Sequence, residues 1–564
     1  MNLILMMTLI SLQLCNAEHI LMITMGGTKS HKIPFWELAK GLIKKGHHVT
    51  FLSGFKADFH IDGLKEITPL HLVHYIQNYT DWDLVGARYA HKTPVPLWQA
   101  LRYPAEACNS LLEPDDHTGV TVTDELLTQR FHLAIVDGAF PECALGIVHR
   151  LGLPFMFINT VGFYTGSLAM AGNPIAYAVT PHVFTALTET MNLWQRIENY
   201  VTHLLADLLH KYYTNQVHGV LIQHFGASIP HPYALMRNVS IILQNGHASI
   251  TYARPFYPNV IEIACLHCRP AGKLPQDLEQ FMESAPAGVI FFSMGSSVKA
   301  ANMPEEFRRM FVEVFSRLPQ YHVLWKWDGN ATATGIHARE AILPNGPHQN
   351  MRGISRNVRL SGWLPQQDIL GHRKLKAFVT HGGLLSMYEA IYHAVPMVML
   401  PVFCDHDVNA AKAESDGYAV RLPLETITAD KLYHAIMAII NNGKYKRKIH
   451  EKSQLLLDQM TKPMDTAIYW TEYVMKHTDV SHLQSPVRNM RFVYHSHRHR
   501  YGYNLMDFIY SVFIYHSLDV ICVFMLIVGG MLIIWQQILK YALRNRTQQR
   551  VEERTQRLKI LKQC

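Results

Sequence analysis

Between Thr380 and Ala390 the chain reads THGGLLSMYEA, set between the apolar runs KAFV and IYHAVPMVML. Paired glycines at 382 and 383 let backbone come close to a ligand, and a helix starting near Leu384 offers unpaired N–H groups and its positive dipole end, a seat for phosphate. His381 and Ser386 can donate further hydrogen bonds there, and the Glu389 carboxylate can accept from both hydroxyls of a diol. A plain strand-to-helix turn accounts for the glycines but not for these polar neighbours.

A second constellation lies far upstream. KSHKIPF puts His31 directly after a glycine-rich strand end and before a helix, and AIVDGAF puts Asp137 at the end of another strand. Among 34 histidines it is position, not residue type, that singles out His31; His47 and His48 read as partners of a helix C-terminus. Imidazole beside carboxylate is general-base chemistry: the neutral ring takes a hydroxyl proton and the carboxylate fixes its tautomer.

The elements that must hold these residues alternate. HILMITMGG reads as a strand, PFWELAKGLIKKG as a helix with apolar residues at helical spacing ended by Gly46, and HHVTFLS as a strand; FHLAIVDG, a helix from about Cys143 to Leu151, and PFMFINT repeat the pattern. A second series runs through GVIFFSMGS, HVLWKW, VRLSGW, AFVTHGG and PMVMLPV. Such alternation predicts an α/β protein with two Rossmann-like domains facing across a cleft, ligands sitting at the carboxyl ends of the strands. Scattered prolines and weak periodicity mark 252–285 as a linker between an acceptor-side domain, 18–251, and a second domain, 286–475.

From Gly362 to Ala410, GWLPQQDIL…AFVTHGGLLSMYEAIYHAVPMVMLPVFCDHDVNA resembles the signature of the UDP-glycosyltransferase family, a multi-point motif far more specific than a glycine pair. The resemblance implies a GT-B-type fold, with Trp363 stacking on uracil, Gln366 bonding the nucleotide, and His381, Gly383 and Ser386 at the diphosphate. It further implies Glu389 on the ribose, Asp405 and His406 on the sugar, and Gly295 and Ser296 of SMGSS as a second phosphate contact. His31 then corresponds to the catalytic base and Asp137 to its partner, in an inverting transfer that needs no metal and no cofactor beyond the donor. Two positions depart from the common pattern: Leu385 stands where asparagine is frequent, as in invertebrate members, and His406 where glutamine is frequent, so the sugar is open among glucose, which is expected, galactose and glucuronate.

The acceptor side is apolar and aromatic from Thr160 to Phe184 and along MNLWQRIENYVTHLLADLLH, consistent with a pocket for a small lipophilic phenol, steroid or xenobiotic, or with plain core and a membrane-surface helix. DWD (Asp81 to Asp83) and DHD (Asp405 to Asp407) have the spacing of metal-dependent glycosyltransferases of another fold, but the second overlaps the signature. A lipophile carrier without turnover is the non-enzymatic alternative, against which the intact His31, Asp137 and Glu389 argue.

The ends add a membrane context. Residues 1–17 form an apolar leader with a signal-peptide cleavage pattern, and VICVFMLIVGGMLIIW lies in a span expected over 515–537, after a juxtamembrane segment, 476–514. The tail, 538–564, holds eight basic residues against Glu552 and Glu553, six of the formal +8, and is therefore expected on the cytosolic side, with affinity for anionic membrane lipid. The body is then near neutral, which excludes a nucleic-acid partner and fits an endoplasmic-reticulum type I protein with a luminal body; self-association is open. Sequons at Asn78, Asn238 and Asn330 agree, whereas that at Asn545 falls on the tail. Retention is open, because KILKQC places only Lys562 correctly for a dilysine signal. Of eight cysteines, five lie in the body, and CLHC (Cys265 to Cys268) reads as a disulfide or buried thiols rather than a metal site. HSHRHR (His495 to Arg500) reads as a basic segment beside lipid headgroups.

Overall fold

A computed structural model describes residues 17–79, 82–162, 166–296, 298, 303–327, 355–362, 364–477, 479–486 and 518–561. It falls into two compact units, Met1–Ser485 and Pro486–Cys564.

The first unit carries two parallel sheets. Strands β1 (His19–Thr24), β2 (His48–Ser53), β3 (Leu64–Ile67), β4 (Leu133–Asp137), β5 (Phe155–Asn159), β6 (Ile242–Gln244) and β7 (Val260–Glu262) stand in the order β3-β2-β1-β4-β5-β6-β7. Strands β8 (Val289–Ser293), β9 (His322–Lys326), β10 (Val358–Ser361), β11 (Leu375–Thr380), β12 (Met397–Met399) and β13 (Ala419–Arg421) stand in the order β10-β9-β8-β11-β12-β13. Both sheets therefore reverse direction of strand order beside their first strand, between β1 and β4 and between β8 and β11. Open α/β sheets bind ligands in the crevice formed at such a reversal.

Each sheet is buried on both faces, which is why its strands read as continuous apolar runs. Ile20 and Met22 of β1 join one core cluster while Leu21 and Ile23 join another; Val289 and Phe291 of β8 are likewise separated from Ile290 and Phe292. The helix expected after FHLAIVDG spans Glu142–Leu151 and ends at Gly152, whose φ of +66° suits glycine.

Two elements tie the halves together. The short helix Leu84–Tyr89, from the first half in sequence, buries Leu84 and Val85 in the core of the second sheet among Ile290, Phe292 and Phe307. In the other direction, the helix Pro463–Lys476 buries Ala467, Ile468 and Val474 against the first sheet. The segment expected as a linker, 252–285, is structured instead: β7 extends the first sheet, and the helix Gln276–Glu283 buries Leu278 and Met282 in the second core. A three-residue strand between prolines is too short to show a period, so its sequence looks like a connection.

Disulfides join Cys108 to Cys143 and Cys265 to Cys268. Asn78 and Asn238 are exposed. Asn330, Asp81, the leader and 495–500 lie outside the described residues.

In the second unit an unbroken helix, Leu518–Leu561, contains a stretch long and apolar enough to cross a membrane, compatible with a membrane-anchored protein.

Candidate active site

On the second sheet the glycine turn behaves as its residues require. Gly382 has φ +89° and its carbonyl accepts from Asn409 Nδ2 at 2.8 Å, while a side chain at 382 would meet Met399 and the backbone of His406. The helix Leu384–Tyr392 follows, with Gly383 as its N-cap and no side chain capping it, so its first-turn N–H groups have no capping side chain. A helix start of this kind can take an anion, as the glycine pair leads one to expect.

Around it the expected residues fall into three groups. Gln366 Nε2 donates to Ser386 Oγ at 2.9 Å and to Glu389 Oε2 at 2.6 Å, and Glu389 Oε1 lies 3.4 Å from His267 Nε2. Glu389, 6% exposed, is thus held from two sides, an orientation in which a carboxylate could accept from a diol. Gly295, φ +72°, packs against the His381 ring so closely that any side chain there would overlap it; Lys326 Nζ donates to the Gly295 carbonyl at 2.8 Å. Burial, and then the Lys326 charge, push the His381 imidazole down to about 3, so it acts as a neutral hydrogen-bonding group. Ser296 is exposed beside it.

The third group holds the two residues expected at the sugar. Asp405 and His406 are both buried, and Asp405 Oδ2 accepts from Asn409 at 2.8 Å. Burial raises the Asp405 carboxyl to about 6, with the Asn409 amide opposing. His406 is held well below the usual imidazole range by burial, then by His381, His31 and Arg88. The first half's His31 is thus close enough for its charge to act on His406 in the second half. Trp363 lies outside the described residues.

His31 sits on the turn Lys29–Lys32 after β1, its N–H bonded to the Thr28 carbonyl at 3.0 Å. Gly27, φ +74°, lets the ring fold back over the backbone: a Cβ there would stand 2.7 Å from His31 Nδ1. That nitrogen lies 3.3 Å from Thr160 Oγ1 at the end of β5, and burial followed by the Lys32 charge push the imidazole down to about 4. Asp137 is 1% exposed at the end of β4; its Oδ1 accepts from the Ala139 N–H at 3.0 Å. Burial raises its carboxyl above the usual range against the pull of Lys32. The structure thus brings Asp137 to the same strand end as His31, but the imidazole's hydrogen-bond partner is Thr160.

The two constellations share one crevice. A Cβ on Gly162, two residues past Thr160, would meet Leu384 Cδ2 at 3.0 Å, at the first residue of the helix Leu384–Tyr392. Several contributors carry no local sequence signal: Thr160, Asn409, Lys326 and Arg88 read as ordinary residues until the fold gathers them. His267 had a weak one, lying inside the CLHC disulfide loop.

The last acid of each acid-x-acid motif is committed to another contact. Asp83 caps the helix Leu84–Tyr89 by accepting from Gly86 N at 2.7 Å. Asp407 pairs with Arg88 at 3.1 Å and Arg421 at 3.2 Å, and Arg88 also pairs with Glu425.

Two parallel Rossmann-like sheets, with a glycine turn into a helix start on one and a buried histidine on the other, have the GT-B architecture of glycosyltransferases. The same architecture is found in a UDP-glucosyltransferase from Polygonum tinctorium, described as capable of glucosylating indoxyl, in complex with 3,4-dichloroaniline. That likeness has a TM-score of 0.54 at 14% identity, covering 82% of this chain and 100% of the other. The family model described as UDP-glucoronosyl and UDP-glucosyl transferase matches residues 19–553, and the chain belongs to that family. Its relatives include a UDP-glycosyltransferase UGT5 of Dactylopius coccus, 28% identical over 85% of this chain and 86% of the other. UDP-glucuronosyltransferase 2A1 of Rattus norvegicus is 32% identical over 67% of this chain and 68% of the other. The protein is a UDP-sugar-dependent glycosyltransferase.

Proposed function

We propose that this enzyme transfers a neutral hexose, glucose, from its UDP conjugate to a hydroxyl of a small lipophilic phenol, steroid or xenobiotic, inverting the anomeric centre. His31 is the base: with Nδ1 turned to Thr160, Nε2 takes the acceptor proton while the acceptor oxygen attacks the anomeric carbon opposite UDP. Asp137 offsets the charge that the ring gains. The helix amides at Leu384 hold the diphosphate as it leaves, the part a metal plays in other glycosyltransferases. EDTA is therefore expected to leave the rate unchanged, and a manganese requirement would sink that part of the reading.

The neutral-sugar reading is carried by the charges beside Asp405 and His406. Arg88 and Arg421 are both engaged by Asp407, and Arg88 by Glu425 as well, while Asp405 adds another acid. A uronate carboxylate needs a cation free to bind it. Here it would meet paired arginines and a surplus of carboxylates. The glucosylating plant enzyme supports the same choice, although some relatives are glucuronosyltransferases. Assays of the purified enzyme with UDP-glucose, UDP-galactose and UDP-glucuronate against a panel of phenols and steroid alcohols test it: turnover with UDP-glucose is expected, and a preference for UDP-glucuronate would overturn the donor assignment.

The apolar stretch that begins at Thr160, beside the base, supports a lipophilic acceptor. For location we infer a single-pass endoplasmic-reticulum protein with its body in the lumen and its basic tail in the cytosol, associated with membrane lipid. Protease protection of the body in sealed microsomes, with glycans on Asn78, Asn238 or Asn330, is the expected result.

A further inference from the structure

Lys32 is a buried charge that the mechanism above leaves unused. It follows His31 on the turn Lys29–Lys32, is 0% exposed, and donates from Nζ to the Gly26 carbonyl. Its Nζ also lies 5.6 Å from the centre of the Phe55 ring. An ammonium enclosed this way is costly unless an opposite charge stands near.

The opposite charge is Asp137. Pairing of β1 with β4 sets Ile23 opposite Val136, so Asp137 stands beside the strand end that leads to Gly26. One Asp137 oxygen receives the Ala139 N–H, and the other, Oδ2, has no hydrogen-bond partner among the described residues. Lys32, bonded to the Gly26 carbonyl just past β1, and Asp137 at the end of β4 are opposite buried charges that stabilise each other's ionised forms.

We infer that Lys32 is a positioning residue for sugar transfer: its ammonium keeps Asp137 ionised in the buried site and keeps His31 unprotonated until the acceptor arrives. The inference rests on His31 being the base. Lys32 exchanges no proton in the step: the acceptor O–H gives its proton to His31, its oxygen bonds the anomeric carbon, and the bond to UDP breaks with the electron pair left on UDP.

The electrostatics agree with the geometry. Burial lowers the Lys32 ammonium to about 8, with Asp137 opposing, and the same Lys32 charge acts to lower both Asp137 and His31. Of the other titratable groups that face the pair, Glu142 on the helix Glu142–Leu151 pushes Asp137 upward, and His406 faces His31 across the crevice. The active form needs neutral His31 and ionised Asp137. Removing the Lys32 charge raises the pKa of both, so each change moves the acid limb of the rate profile to higher pH.

The test is the pH dependence of kcat/KM for the acceptor in full-length Lys32→Met and Lys32→Arg enzyme, with UDP affinity as the control for an intact donor site. In Lys32→Met the acid limb is expected to move up by about one pH unit, about a tenfold loss at the native limb that higher pH relieves. Lys32→Arg is expected to keep the native limb. Should Lys32→Met fail to fold, Lys32→Gln, which keeps a hydrogen bond to Gly26 without the charge, decides by the same readout. An unmoved acid limb in a folded neutral variant overturns the inference. His31→Ala separates the two readings: transfer surviving in that variant removes the base itself, whereas loss of transfer there with an unmoved limb in the Lys32 variants removes only the role of Lys32.

Discussion

The rings of His381 and His406 meet edge to face, their centroids 4.5 Å apart and their planes at 87°. The turn that would hold the diphosphate and the residue that would face the sugar are thus one packed unit, and His406 Nδ1 is further engaged by the Phe403 N–H at 3.4 Å. His406 is therefore fixed in orientation and uncharged, which suits a group that reads the position of a hydroxyl. His406→Gln is expected to change the ratio of kcat/KM for UDP-glucose over UDP-galactose by about tenfold, equivalent to about 1.4 kcal/mol, with UDP affinity nearly unchanged. An unaltered ratio would remove His406 from sugar choice.

Glu389 offers a different separation of effects. Gln366 and His267 hold its carboxylate, whereas the base proposed above, His31, has Thr160 beside its Nδ1. Loss of charged hydrogen bonds to a ribose costs about 1.5–3 kcal/mol each. Glu389→Ala is expected to weaken UDP binding at least tenfold by calorimetry while kcat at saturating donor falls much less. A large loss in kcat at unchanged UDP affinity would place Glu389 in the chemistry rather than in recognition.

What could be read in the sequence, and what could not, follows from how far apart the partners lie. The strand-turn-helix at Thr380–Ala390 is local: its glycines, apolar flanks and helix start determine one another within a dozen residues, and β11 and the helix Leu384–Tyr392 match that reading. The docking of Leu84–Tyr89 into the second sheet depends on a surface formed by residues more than two hundred positions away, so its apolar pair had no visible destination. Lys32 is the sharper case. A lysine after His31 looks like an exposed residue at the start of a helix; only the close packing of β1 beside β4 turns it into a buried partner of Asp137.

Acid sensitivity should arise at a second histidine pair, outside the transfer site. His182 and His203 pack edge to face at 4.6 Å, fastening residues 177–185 to the helix Leu193–Phe225 together with Asn199, whose amide donates to the Tyr177 and Thr180 carbonyls. Burial, with the neighbouring ring, lowers His182 to about 3, and burial lowers His203 to about 4 against its bond to the Thr180 carbonyl. Both lie below the unfolded imidazole value of about 6.5, so the unfolded chain binds two protons that the folded one rejects. Stability is complete above that value and falls as pH drops toward the folded pKa values, by about 1.4 kcal/mol per proton per pH unit. Denaturant midpoints at a series of pH values should show this slope, and His203→Phe should flatten it by about one proton. A slope identical to the native one would refute the assignment.

The ion pairs of Arg88 are expected to couple stability to the donor site. Arg88 reaches from the first half of the chain to Asp407 and Glu425 in the second, and Asp407 immediately follows His406. These groups are largely enclosed, with side-chain exposures of 20%, 12% and 22%, so a truncated arginine leaves carboxylates that water solvates incompletely. Arg421 still neutralises part of the charge on Asp407, which limits the loss. Arg88→Ala is therefore expected to destabilise the body by about 2–3 kcal/mol, below the figure for a fully buried pair. If Arg88 also holds the loop carrying Asp405 and His406 in place, the variant will show a raised KM for the UDP-sugar while its affinity for free UDP stays close to native, because the anion seat at Leu384 is untouched. Equal weakening of both would mean that the clamp supports the whole second half rather than the sugar-facing loop.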